Sequence, residues 1–170
     1  DIAPRSKGAA ALFTAIAIPM VIVHMAQTYG LILPSGQFRS FHLNTSILIL
    51  LVAMIGKTGA ERRWERIGLA VMCLLSLVPL VYIHLEYPAL VDDRPFLPNN
   101  NDLIIIVIML VLTLFVAVRE WGKIIPLVAF LGIFYGFFGY LLPEGLFAHG
   151  GIRIERLIGY LGVPYFRGLL

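Results

Sequence analysis

One cysteine in 170 residues leaves no partner for an intramolecular disulfide, and Cys73 stands inside an apolar run where a small side chain packs well. Four histidines, His24, His42, His84 and His149, lie far apart in the chain without the close ligand spacing of a zinc site. No metal, redox or cofactor framework is read from them. Charge is also scarce, at 14% of residues where soluble domains carry about 25%. The scarcity is sharpest in five segments, 9–33, 41–55, 67–82, 103–118 and 124–142, which contain no Asp, Glu, Lys or Arg at all.

What fills those segments is apolar: the hydrophobic share is 59% and the mean hydropathy is +0.90. About 20 apolar residues in a helix rise about 30 Å, the thickness of a bilayer's hydrocarbon core. Each segment is therefore a predicted membrane span, the shorter ones completed by interfacial residues such as Asn101 and Arg119. Lipid cannot satisfy exposed backbone amides, so only helices or closed barrels cross it, and continuous apolar runs favour helices over alternating barrel strands. The expectation is an all-α polytopic membrane protein, one domain over 1–170 with about five embedded helices. Segment 9–33 is too long for the apolar core of a cleavable signal peptide, so it reads as a retained first helix.

Positive charge alternates between the connections. Arg5 and Lys7 precede the first span, Lys57, Arg62, Arg63 and Arg66 follow the second, and Arg119 and Lys123 follow the fourth. The other side has Arg39 and Arg94, and eight against two places the amino terminus in the cytoplasm. The net charge of +3 is explained by cationic loops near anionic headgroups, without nucleic acid. Trp64 and Trp121 stand beside Arg62, Arg63, Arg66 and Lys123 as expected membrane-interface anchors.

On the opposite side, 83–102 reads as a long connection in which Pro88, Pro95, Pro98 and the Asn99-Asn100-Asn101 run prevent a continuous helix. Asp102 is expected to cap the first turn of the fourth helix. In the tail, 152–170, the residues Ile152, Ile154, Leu157, Ile158 and Leu161 recur at helical spacing with Arg153, Glu155 and Arg156 between them, an amphipathic helix for the interface or a partner.

Few residues invite chemistry. His24 is the one imidazole or acid well inside a span, and it reads as interfacial or hydrogen-bonded to a neighbouring helix, since no acidic or imidazole partner at its depth is evident. Glu86, Asp92 and Asp93 read as solubilising loop charges. Ser46 and Ser76 lack a nearby His with an acidic orienter, so they are expected to bond backbone carbonyls or a facing helix. No catalytic, metal-binding or substrate-binding residue is assigned. Pro19 and Pro79 are expected to bend their spans. Gly132, Gly136 and Gly139, flanked by Phe137 and Tyr140, are read as a packing face where a partner helix approaches closely. Ile154, Leu157 and Leu161 are expected to add to that partner surface.

The order of these elements resembles the amino-terminal part of TRAP transporter permeases, most closely the fused type associated with TAXI-class solute-binding proteins. The likeness spans roughly 36–165 and rests on Phe38-Arg39-Ser40-Phe41-His42-Leu43, Trp64, Tyr82, Glu86-Tyr87-Pro88-Ala89-Leu90 and Asp102. Ala117-Val118-Arg119-Glu120, then Tyr135-Gly136-Phe137-Phe138-Gly139-Tyr140-Leu141-Leu142-Pro143 with His149-Gly150-Gly151, complete it. Arg119-Glu120-Trp121 departs from the family's paired basic residues, and the sequence diverges after Leu161. The resemblance implies the small, Q-like permease module of a sodium-coupled organic-acid transporter, a non-catalytic scaffold for a larger integral membrane subunit that a periplasmic solute-binding protein serves indirectly. In that family the substrate and sodium sites belong to the large module. The alternative expectation is a structural accessory subunit that packs onto or caps an unrelated membrane complex, such as a photosynthetic or respiratory assembly.

Overall fold

A computed structural model describes residues 6–30, 33–94, 98–143, 145, 147–154 and 156. Five helices, each long and apolar enough to cross a membrane, account for most of them, and no strand occurs among the described residues. The protein is an all-α polytopic membrane protein.

The first helix, α1 (Lys7–Thr28), starts where the Ser6 side chain accepts the Ala9 amide at 3.3 Å and carries Pro19 inside it. The apolar run continues to Leu33, yet the helix stops at Thr28, because Gly30 turns the backbone left-handed at φ 82°. Gln27 then brackets Leu33, its amide nitrogen donating to the Leu33 carbonyl at 3.0 Å and its amide oxygen accepting the Leu33 N–H at 3.3 Å. That two-sided bond fixes the reversal into α2 (Ser35–Lys57). This helix begins before the apolar run at Phe41, since Gln37 and Arg39 are competent helix formers that need only a polar environment at the span's end.

The third helix corrects the reading of 83–102 as a connection. After α3 (Arg63–Pro88), which contains Pro79, a π-helical segment continues over Ala89–Asp93, giving an unbroken span Arg63–Asp93 of 31 residues. Pro88 lacks the N–H that would bond the carbonyl of His84, four residues back. Gln37 of α2 supplies the missing donor, its Nε2 lying 3.2 Å from the His84 oxygen. Removing it in Gln37→Ala leaves that carbonyl short of a partner and should cost about 1 kcal/mol of stability. Detergent-titrated unfolding measures this; unchanged stability would mean water serves the carbonyl equally well.

Then come α4 (Asn100–Trp121) and α5 (Ile124–Phe138), joined at Gly122, whose φ of 80° reverses the chain in two residues. Fifteen α-helical residues reach only about 22 Å. A 3-10 turn, Gly139–Leu141, lengthens the span toward the bilayer's thickness.

Helices α2, α3 and α4 touch one another and form the core, with α1 against α2 and α5 against α4 on the flanks. One apolar cluster joins Ile47, Leu51, Met54, Leu69, Leu112 and Val116. A second, nearer the other membrane face, joins Ile83, Leu90, Ile105, Ile106 and Met109. Because the solvent around the spans is lipid, packing rather than water exclusion holds these clusters together, and polar ties between helices add to it.

Candidate functional site: polar ties at the ends of the spans

Where α3 and α4 meet, Asp102 is completely buried, and every direction around its carboxylate carries a donor. Tyr82 Oη donates to Oδ1 at 2.6 Å, Arg94 Nε to Oδ2 at 2.8 Å, and the Asn99 amide to Oδ2 at 2.9 Å. The N-cap is Asn99, whose side chain accepts the Asp102 amide at 2.8 Å, so the expected cap at Asp102 becomes the third residue of a reciprocal capping box. A short acidic side chain at that place also faces the positive end of the helix dipole.

Arg94 completes the cluster by donating through Nη2 to Glu86 Oε2 at 2.7 Å. Asp102 first, and Glu86 after it, hold this guanidinium even more firmly protonated than an ordinary arginine. Tyr82 and Glu86 stand four residues apart on the extended α3, which puts them on one helix face. Glu86 is thereby a partner in a half-buried tie, contrary to its reading as a loop charge, whereas Asp92 and Asp93 are exposed as expected.

A second tie bears out the reading of His24 as hydrogen-bonded to a neighbouring helix and supplies the imidazole partner that was not evident in the sequence. The Nε2 of His24 lies 2.7 Å from His42 Nδ1 on α2. His24 Nδ1 is 2.7 Å from the Met20 carbonyl, which can only accept, so that nitrogen carries a proton. In the neutral pair His42 Nδ1–H then donates to His24 Nε2 and His42 Nε2 is left as an acceptor. One added proton on that outer nitrogen keeps both hydrogen bonds; a second would set two N–H groups against each other. Phe38 packs on the His24 ring with centroids 4.8 Å apart. Beside this seam, a largely apolar cavity of about 420 Å³ separates α1 from α3 over a floor of α2, with Val23, Phe41, Val81 and Leu85 in its walls.

The glycine series lies in a third tie. The chain beyond Pro143 returns along α5, and the Ile152 amide donates to the Gly136 carbonyl at 3.0 Å. His149 sits directly on Gly139, edge-on to Tyr135 at 4.8 Å, and bonds the Tyr135 carbonyl through Nε2 at 3.1 Å. Gly151, at φ 73°, donates its amide to His149 Nδ1 at 3.0 Å, and Tyr135 Oη donates to the Phe147 carbonyl at 2.7 Å. Gly136 and Gly139 are thus buried by the chain's own return strap, while Gly132 has open space where a side chain would stand. Phe137 is half-buried and Tyr140 exposed. Ile154 is exposed; Leu157, Leu161 and most of the amphipathic tail lie outside the described residues.

On the opposite membrane face, Glu65 receives Arg62 and Arg119 on its two oxygens, both at 2.5 Å, joining the start of α3 to the end of α4. Trp64 and Trp121 are exposed beside them, as are Arg63, Arg66 and Lys123. Ser76, as expected, donates to a backbone carbonyl, that of Cys73, at 2.7 Å. No grouping of three or more His, Cys, Asp or Glu fit to hold a metal occurs among the described residues. Comparison with protein-family models, curated proteins and solved structures gives no match to this chain.

Proposed function

We propose that the chain is a non-catalytic scaffold subunit resembling the small module of a TRAP-type sodium-coupled organic-acid transporter, seated in a bacterial inner membrane with its amino terminus in the cytoplasm. The observation that carries this reading is the uneven burial of the spans. Over an apolar 18-residue stretch of each span, 44% of residues are buried in α2 and 39% in α4, but none in α1 and 11% in the span Ile124–Leu141. Most of the surface of the two flanking helices is left to lipid or to a neighbouring subunit, around a centre that is tied shut.

The residues that carry the family resemblance support it. Tyr82, Glu86 and Asp102 meet in one closed network, and Tyr135, Gly136, Gly139, His149 and Gly151 in one clasp. Both are frame-building arrangements whose polar atoms are spent on each other. The cationic face formed by Lys57, Arg62, Arg63, Arg66, Arg119 and Lys123 supports the cytoplasmic placement of the amino terminus.

Purification in mild detergent, followed by identification of the chains that come along, tests the reading. A large multi-span permease with a secreted binding protein is the expected result. Pigment-binding or redox subunits without such a permease would overturn it in favour of an accessory role in an energy-converting complex. Because Gly132 is the glycine of α5 that opens outward, Gly132→Leu is expected to weaken recovery of the large subunit about tenfold while the chain still inserts. Undiminished recovery would remove that face of α5 as the docking surface.

A further inference from the structure

The cationic face contains a groove that the ties above do not use. A hollow of about 310 Å³ lies between the end of α2, the connection after it and the start of α3, lined by Ile55, Ala60, Arg63, Arg66, Ile67 and Ala70. Arg63, Arg66, Ile67 and Ala70 follow the spacing i, i+3, i+4, i+7, so they form one stripe along a single face of α3. The stripe is cationic at the helix start and apolar one turn further in. From Arg63 to Ala70 it descends about 10 Å, from headgroup level into the hydrocarbon.

The two guanidinium groups are available. Glu65, the nearest carboxylate on the helix, is taken on both oxygens by Arg62 and Arg119. Glu61 is turned over Gly59. Arg63 and Arg66 are exposed and enter no ion pair among the described residues. Ile67 is 41% exposed, and Ala70 below it is also exposed, so the apolar half of the stripe opens to lipid.

We propose that this groove is a binding site for an anionic phospholipid of the surrounding leaflet. The phosphate rests between Arg63 and Arg66, whose planar guanidinium forks match phosphate oxygens, and an acyl chain runs along Ile67, Ala70 and Ile55. Charge complementarity and depth select the occupant together: two unpaired cations at headgroup level call for an anion, and an apolar wall at hydrocarbon depth calls for a chain attached to it. Trp64, 83% exposed on the same turn, is placed at the boundary where its ring meets headgroups. The site is independent of whether the protein belongs to a transporter.

The test uses the full chain in mild detergent, offered phosphatidylglycerol or phosphatidylcholine of matched acyl length, with retained lipid counted by native mass spectrometry. Phosphatidylglycerol is expected to be kept about tenfold more strongly, and the double variant Arg63→Gln, Arg66→Gln to lose that preference. A charge-matched control, Lys7→Gln with Lys123→Gln, removes two cations of the same face outside the groove and should keep it. Ile67→Trp retains both arginines but fills the apolar half, and is expected to expel the lipid; it also serves if the double arginine variant does not fold. Equal retention of the two lipids would overturn the proposal and leave the stripe to an acidic partner segment. Equal loss in the lysine control would reduce the effect to diffuse surface charge. Competition by soluble glycerol phosphate as effective as that by phosphatidylglycerol would mean that only a phosphate, and no lipid, is recognised.

Discussion

Replacing Arg94 with alanine is expected to destabilise the protein by about 3–5 kcal/mol, more than any other single truncation of a polar side chain here. The magnitude follows from what is left behind. Asp102 is completely buried, and without Arg94 it retains Tyr82 Oη and the Asn99 amide but no cation. A buried carboxylate with neutral partners only is costly in a medium that cannot reorganise around it. Glu86 loses its partner as well, but its side chain is 44% exposed, so water takes over much of that contact. Asp102→Asn should cost less than Arg94→Ala, because the amide oxygen still accepts from Tyr82 or Asn99 while Arg94 keeps Glu86. Adding Asp102→Asn to Arg94→Ala should therefore recover part of the loss, since the stranded charge is gone. Unfolding titrations of the three variants in detergent measure this, and additive losses would show that the cluster does not act as a unit.

The spans were legible because lipid imposes a simple condition on sequence, freedom from charge over a helix long enough to cross. Each of the five segments carries a helix, although the first of these ends at Thr28, short of Leu33. What the sequence did not disclose were contacts between helices. Pro88 is a sound local reason to stop a helix, and the donor that lets α3 continue belongs to Gln37, far back on α2. Once α3 is cut short, Glu86 falls into a loop and its alignment with Tyr82 disappears from view. The His24–His42 tie depends on how α1 crosses α2, which no spacing rule gives. Asp102 shows a middle case. Its place at a helix start is written locally, in the Asn99 to Asp102 spacing of a capping box, but its burial against Arg94 and Tyr82 needs the π-helical segment to bring the arginine round.

The glycine series divides in the same way between local and nonlocal information, and its largest consequence is the second of the two strongest effects expected. Small residues at spacings of four and three announce that something approaches closely; the sequence does not name it. At Gly139 it is the imidazole of His149, so close that a Cβ there would overlap the ring. Gly139→Ala must push His149 out, which breaks its bond to the Tyr135 carbonyl, deprives the Gly151 amide of its acceptor and undoes the edge-on contact with Tyr135. Overpacking of this kind costs about 1–3 kcal/mol, and the return strap over residues 147–152 is the part that can give way. The variant is expected to remain inserted and helical while that strap becomes open to a soluble protease. His149→Ala supplies the discriminating comparison. It removes the ring and loosens the strap by itself, but it also empties the space above Gly139, so the Gly139→Ala, His149→Ala double variant should be scarcely worse than His149→Ala alone. If the double variant instead shows the sum of the two losses, the alanine acts through the α5 backbone and the glycine is not there to seat the histidine.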